Sequence, residues 1–196
     1  MPSPEKFHDT LLEAGVPQDV IERIDEGFPV LTSKTKKQIK ALYFRQAIDV
    51  MERELGRAKT QEIFEANGCC KTGARLKASK AFARMNAALP LEEKLSKIHS
   101  TPEMNMGRPE LDGHGDLVVH AVSYREGDRY ICVCPTISKQ AVQPEGTTYC
   151  HCCAGHFQFH YEIMLGCKLT VAEIISSPLC SGGAAPCVIR FTMDKT

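Results

Sequence analysis

The residues of this chain best suited to chemistry are its cysteines, which are numerous and unevenly distributed. The sequence of 196 residues contains ten cysteines, two of them adjacent at positions 69 and 70. The other eight all fall within the segment 132–187. These eight are Cys132, Cys134, Cys150, Cys152, Cys153, Cys167, Cys180 and Cys187. Free cysteines often serve as small buried apolar residues, but so many in one short segment indicate a shared site.

The spacing of these cysteines predicts a zinc site built from thiolates. A structural zinc ion takes four cysteine or histidine ligands in a tetrahedron, with sulfur at about 2.3 Å. Two side chains separated by one residue on a strand point to the same face, so the first pair is expected to face one ion. A helix N-terminus favours thiolates, and the second pair lies where a helix is predicted to begin. The candidate ligands are Cys132 and Cys134, Cys150 and Cys152, and Cys180 and Cys187.

Other donors near these cysteines leave alternatives open. Four thiolates suit an iron–sulfur cluster as well as zinc, and spacing alone does not separate the two. Glu173 lies between apolar neighbours on a predicted strand, so it faces either the solvent or, if turned inward, a cation. His156 and His160 share one helix face, but no glutamate follows His156, so the glutamate-assisted zinc protease motif is absent.

Aromatic and histidine side chains near the cysteines predict a pocket for a small organic molecule. Ligand pockets are lined mostly by apolar and aromatic side chains with a few polar groups. The candidate lining residues are Tyr124, Tyr130, His151, His156 and Phe157. A cysteine beside His151 or His156 would also suit a nucleophile with its base, acting on a C–N or C–S bond. The sequence therefore leaves enzymatic activity undecided.

The elements that must position these residues begin with a helical half. Apolar residues recur at helical spacing over the first hundred residues, and glycine or proline follows most runs. The predicted helices span 7–14, 19–25, a segment from a cap at Ser33 or Thr35 to Leu55, 59–66, 73–88 and 91–98. Asn67-Gly68, a common helix-ending pair, stands directly before the two adjacent cysteines.

The second half has a different pattern. Residues 100–115 are rich in proline, glycine, asparagine and aspartate and form the predicted linker. Alternating or β-branched runs predict strands at 117–124, 129–134, 168–175 and 187–193. The first two are expected to form a hairpin around a turn at 126–128. Residues 153–165 are predicted to be helical.

These elements together predict an α+β fold, in which an N-terminal helical segment packs on a small, mostly antiparallel sheet with one long helix. We expect a helical segment at 1–100 and a cysteine-rich metal-binding module at 116–196, either as two units or within one compact domain.

Composition and charge argue against several classes of function. The chain carries 24 basic and 24 acidic side chains, so it lacks the positive excess that nucleic-acid binding requires. No apolar run approaches the roughly 18 residues of a membrane span, and the charged start does not resemble a secretory signal. We therefore expect a cytoplasmic protein with reduced thiols, whose state as a monomer or a homodimer stays open.

Four sequence motifs resemble the vinyl-reductase-like (4-vinyl reductase) domain found in sensor proteins. They are the segments 149–156, with Tyr-Cys-His-Cys-Cys-Ala-Gly-His, 166–173, with Gly-Cys-Lys-Leu-Thr-Val-Ala-Glu, Gly182-Gly183, and 187–191, with Cys-Val-Ile-Arg-Phe. The resemblance implies a small α+β module that binds small organic molecules. It also implies zinc ligands at Cys150, Glu173 and Cys187, with Cys180 replacing a family cysteine whose position is Ser176 here.

Two shorter pieces resemble another group. Cys-Val-Cys-Pro at 132–135 and Tyr-Cys-His-Cys at 149–152 are similar to an uncharacterised bacterial cysteine-rich family, which is distantly like the aminothiazoline-carboxylate hydrolase-like group. The sequence thus favours a zinc-binding, sensor-like protein that takes a small molecule. The alternatives are a metal- or cysteine-dependent hydrolase of a small C–N or C–S substrate and an iron–sulfur protein.

Overall fold

The computed structural model of the protein describes residues 4–101, 104–121 and 124–194. Within these ranges the chain forms seven α-helices and six β-strands. The helices are α1 (Pro4–Glu13), α2 (Gln18–Asp25), α3 (Lys37–Leu55), α4 (Arg57–Ala66), α5 (Gly73–Met85), α6 (Leu91–His99) and α7 (His151–Leu165). The strands are β1 (Arg108–Leu111), β2 (Leu117–His120), β3 (Tyr124–Glu126), β4 (Arg129–Ile131), β5 (Leu169–Ser176) and β6 (Val188–Met193). In the described part of the chain, no helix has the length and apolarity needed to span a membrane.

The strands confirm the predicted α+β class, although the predicted hairpin pairs different strands. One antiparallel sheet has the order β1-β2-β6-β5, and β3 and β4 form a separate hairpin. The predicted linker thus contains a strand, β1, which pairs with β2. The predicted first hairpin strand, 117–124, corresponds to the shorter strand β2, which pairs with β1 and β6 instead of β4. Residues 122 and 123 of that prediction lie outside the described residues. Residues 102 and 103 of the predicted linker also lie outside them.

Aromatic rings hold the helical half together and extend into the cysteine-rich half. The ring centroids of Phe7 and Phe44 are 5.3 Å apart, and Phe7 and Phe64 are separated by the same distance. Tyr149, which precedes α7, lies 5.5 Å from Phe44 and 5.8 Å from Phe64. Buried aromatic pairs of this kind add about 0.5–1.5 kcal/mol each beyond the area they bury. The core of the first hundred residues is therefore continuous with the start of α7.

Helix α7 occupies the centre of the molecule, between the other helices and the sheet. It contacts α4, α5 and α6 among the helices and β5 in the sheet. Tyr161 is fully buried there and donates a hydrogen bond to the carbonyl of Met106 at 2.8 Å. Every residue of α7 is buried or half-buried, so this helix presents no fully exposed face to water.

The crossing of α4 with α7 brings two backbones into direct contact. A Cβ atom added at Gly155 would lie 2.0 Å from the carbonyl oxygen of Glu65, and one added at Gly68 would lie 2.9 Å from the backbone of Gly155. Only glycine at both positions permits this approach. The turn after α4 is thereby held against the first two turns of α7.

We predict that Gly155→Ala destabilises the protein by about 1–3 kcal/mol, because the added methyl group collides with the Glu65 backbone. In an ordinary helix the same change would stabilise by up to about 1 kcal/mol, so the sign of the effect is diagnostic. Gly113→Ala is the matched control, since its Cβ would meet nothing within 4 Å. Urea denaturation measures both variants, and an unchanged or higher stability for Gly155→Ala would contradict the close crossing.

Candidate metal and ligand site

Six cysteines from four separate stretches of the chain line a single cavity of about 210 Å³, here called the thiol cavity. Its cysteines are Cys69, Cys70, Cys134, Cys152, Cys153 and Cys187. The cavity lies beside the first turns of α7, beneath the turn that follows α4. The sequence predicted that distant cysteines converge, and the described fold brings these six to one place.

Several of these thiols are close enough to influence one another's ionisation. The proximity of Cys152 lowers the pKa of Cys69, and the proximity of Cys69 together with burial raises the pKa of Cys152. Burial raises the pKa of Cys153, and the neighbouring Cys69 and Cys134 contribute in the same direction. Burial also raises the pKa of Cys187 to about 12. These thiols are therefore closely spaced and largely removed from water.

Tyr149 connects the thiol cavity to the aromatic core. Its hydroxyl oxygen lies 3.3 Å from the Sγ atom of Cys134, within the hydrogen-bonding range of sulfur. Burial raises the pKa of this phenol well above its ordinary value, with Cys134 as the next cause. Because the ring packs among Phe44 and Phe64, the position of Cys134 is coupled to the packing of the helical half.

Two histidines of α7 hold the turn that carries Cys69 and Cys70. The Nδ1–H of His156 donates to the Cys69 carbonyl at 2.8 Å, and the Nε2–H of His160 donates to the Cys70 carbonyl at 3.0 Å. Cys70 has a φ of 61°, in the left-handed region that costs a residue with a side chain about 1–2 kcal/mol. The two hydrogen bonds therefore fix a backbone conformation that the chain would otherwise avoid.

The second nitrogen of each ring is also occupied. Arg75 Nη1 donates to Nε2 of His156 at 3.0 Å, and the Ser79 hydroxyl lies 2.8 Å from Nδ1 of His160. Burial lowers the pKa of His156 to about 3, and it lowers the pKa of His160 as well. Both imidazoles are therefore neutral at pH 7, and each bridges α5 to the cysteine-bearing turn.

A basic groove lies outside the thiol cavity and shares a wall with it. The groove has a volume of about 790 Å³ and is lined by Lys6, Lys71 and Arg75 together with Cys69 and Cys70. Both cysteines and Arg75 also line the thiol cavity. Both lysines also donate to backbone carbonyls around the end of α4. Lys6 donates to Gly68 at 2.9 Å, and Lys71 donates to Glu65 at 2.9 Å. No carboxylate is among the described residues that line the groove.

The residues predicted from sequence divide between this cavity and other places. Those that line the thiol cavity are Cys134, Cys152, Cys187, Tyr124, His156 and Phe157. Cys132 and Tyr130 line a different, open pocket next to the β3–β4 hairpin. The expectation that Cys132 and Cys134 face one side fails because β4 ends at Ile131 and the chain turns after it.

The remaining predicted residues lie apart from the thiol cavity. Cys150 and Cys180 form a separate thiol pair beside Ser177. Glu173 is exposed and accepts a hydrogen bond from Arg190 Nη2 at 2.8 Å. His151 is buried and donates from Nδ1 to Glu65 at 2.7 Å.

Sequence reasoning did not assign Cys69, Cys70, Cys153 or Arg75 to the site. The first two lie more than 60 residues before the cysteine-rich segment, and no spacing rule links them to it. One feature pointed to them: the i, i+4 spacing of His156 and His160 defines a helix face, and that face contacts their turn.

The donor set can be tested against the predicted metals. Among the described residues, no three cysteine, histidine, aspartate or glutamate side chains are arranged to hold one metal ion. A zinc ion needs four donors at about 2.3 Å from a single point. The six thiols of the described residues share one cavity without such an arrangement around a single point.

Comparisons with protein-family models, curated proteins and solved structures found no match to this chain. The expectations drawn from the vinyl-reductase-like resemblance therefore stay predictions.

We predict that His160→Leu destabilises the protein by about 1–3 kcal/mol, because it removes the hydrogen bond to the Cys70 carbonyl and the contact with Ser79. Loss of this bond should also raise the rate at which a maleimide alkylates Cys70. His99→Leu is the control, since His99 is exposed at the end of α6. Equal stability and equal labelling rates in the two variants would show that His160 does not hold the turn.

Proposed function

We propose that the protein is an iron–sulfur protein whose cluster occupies the thiol cavity and faces a site for a small organic anion. The observation that carries this proposal is the convergence of six cysteines on one cavity. The innermost candidates for ligands are Cys69, Cys134, Cys152 and Cys153, which interact with one another. Cluster assembly deprotonates such thiols and compensates their buried charge with iron.

The surroundings of the cavity favour a cluster over a simple apolar core. Chain segments held by direct backbone contact at Gly155 and by histidine hydrogen bonds supply the thiols from rigid positions. Metal sites depend on such supporting contacts, because these orient the ligands before the metal binds. Zinc held by a subset of the same thiols is the alternative that the experiment below separates.

A bound cluster would supply electron transfer or a Lewis-acidic iron, and the residues around it would select the molecule that reaches it. The basic groove leads to Cys69, Cys70 and Arg75, the wall that it shares with the thiol cavity. The positive charges of Lys6 and Lys71 repel each other. Burial, and to a smaller extent this repulsion, lowers the pKa of Lys71. An anionic group bound there would relieve that repulsion, so the partner that we propose is a small carboxylate or phosphate ester.

We predict that anaerobic reconstitution with ferrous iron and sulfide produces a brown protein with an absorbance band at about 400 nm. Cys152→Ser should abolish this absorbance, because Cys152 is buried and contacts the other candidate ligands. Cys167→Ser is the matched control, since Cys167 does not line the thiol cavity. Its iron content should equal that of the unaltered protein.

Two outcomes would overturn the cluster. A colourless protein that retains about one equivalent of zinc and takes up no iron would show a single-ion site. Absence of bound iron and of bound zinc in both preparations would show that the cavity thiols are structural. Equal loss of iron in Cys152→Ser and Cys167→Ser would likewise argue against a site in this cavity.

We predict that Arg75→Gln weakens the binding of a small anion by at least about tenfold, a loss of about 1.4 kcal/mol. Benzoate and inorganic phosphate are the probes, measured by calorimetry at low ionic strength, where charge interactions are least screened. Lys77→Gln is the control, because Lys77 is exposed on the same helix and outside the groove. Equal binding by both variants, or no binding by the unaltered protein, would contradict an anion site.

A further inference from the structure

A second group of thiols lies outside the thiol cavity, at the start of α7. Cys150 is buried, and its Sγ atom lies 3.4 Å from the hydroxyl oxygen of Ser177. The backbone N–H of Cys180 donates to the same hydroxyl oxygen at 3.1 Å. The Cys180 thiol donates to the Gly146 carbonyl at 2.9 Å, and its electrostatic influence reaches Cys150. One serine thus anchors an exposed and a buried cysteine side by side.

The loop that carries Cys180 is well ordered by its own hydrogen bonds. The Ser181 N–H donates to the Ser177 carbonyl at 3.0 Å, and the Gly183 N–H donates to the Pro178 carbonyl at 2.8 Å. The Ser176 hydroxyl closes the loop by donating to Pro186 at 2.7 Å. Arg129 Nη2 fixes the tip through the Gly182 carbonyl at 2.5 Å. These hydrogen bonds therefore set the position of Cys180 beside Ser177.

Exposure differs between the two thiols in the way that a two-step thiol reaction requires. Cys180 is exposed and accessible to a small reagent, whereas Cys150 is only 7% exposed. Neither residue lines the thiol cavity, so the pair is available whether or not that cavity is filled.

We propose that Cys180 and Cys150 form a reactive dithiol that reduces small hydroperoxides and becomes an intramolecular disulfide. The Cys180 sulfur attacks the terminal oxygen of the hydroperoxide, the O–O bond breaks, and an alcohol or water leaves with the proton. Cys180 is then a sulfenic acid. The Cys150 sulfur attacks it, the S–S bond forms, the S–O bond breaks, and water leaves with the thiol proton. Two thiols lose two electrons, and one hydroperoxide gains them.

The resulting disulfide would join the β5–β6 loop to the residue that precedes α7. That loop also carries Cys187, which lines the thiol cavity. Oxidation of the pair would therefore restrict the movement of one wall of the thiol cavity.

The experiment treats reduced protein, kept under nitrogen, with one equivalent of hydrogen peroxide, then blocks free thiols with iodoacetamide and maps peptides by mass spectrometry. The expected result is a peptide that links Cys150 to Cys180, which a reductant cleaves. In Cys150→Ser, dimedone should trap a sulfenic acid at Cys180. In Cys180→Ser the linked peptide should be absent and Cys150 should be alkylated only after denaturation.

Cys167→Ser and Cys152→Ser are the controls, and both should still form the linked peptide. The second control separates this proposal from the cluster, because it removes a proposed cluster ligand and leaves the pair intact. A different disulfide, further oxidation of Cys180 without a disulfide in the unaltered protein, or protection of both thiols by a bound metal would overturn the proposal. The map of the unaltered protein decides the question even if a variant fails to fold.

Discussion

The arrangement of the site depends on one close contact, where the turn after α4 lies backbone to backbone against α7. Gly155 and Gly68 make this contact possible, since a methyl group at either position would collide with a neighbouring backbone. The contact brings Cys69 and Cys152 to the same cavity. With any larger residue the helices would separate, and the cysteines of the N-terminal half would lose their partners on α7.

Neutral histidines then fix what the close contact brings together. His156 and His160 each donate to one carbonyl of the cysteine pair while the other ring nitrogen meets a side chain of α5. Burial disfavours the charged form of both rings, so each keeps one donor and one acceptor. The arrangement orders three segments while both imidazoles stay uncharged. The i, i+4 pair of histidines, a spacing that can also bind a metal, here holds the turn that carries Cys69 and Cys70.

The cysteines near α7 separate into two groups because Cys150 precedes the helix, whereas Cys152 and Cys153 lie on its first turn. Cys152 and Cys153 point into the thiol cavity, whereas Cys150 lies at the end of a short 3-10 helix before α7 and meets Ser177. The cysteines of the short segment 149–153 therefore belong to two different sites. The proposed cluster and the proposed dithiol consequently draw on different thiols, and neither needs those of the other.

The sequence by itself determined the α+β class, the positions of most helices and the expectation that distant cysteines gather at one place. These features follow from local periodicity, helix-ending glycines and cysteine density, all of which act over short distances along the chain. Only the tertiary structure decided that Cys69 and Cys70 join the site, that Cys132 and Cys134 face different cavities, and that Glu173 pairs with Arg190 at the surface. The physical reason is that these outcomes depend on which backbones can approach each other. That depends on packing between residues far apart in sequence, such as Glu65 and Gly155, and no spacing rule within one segment encodes it.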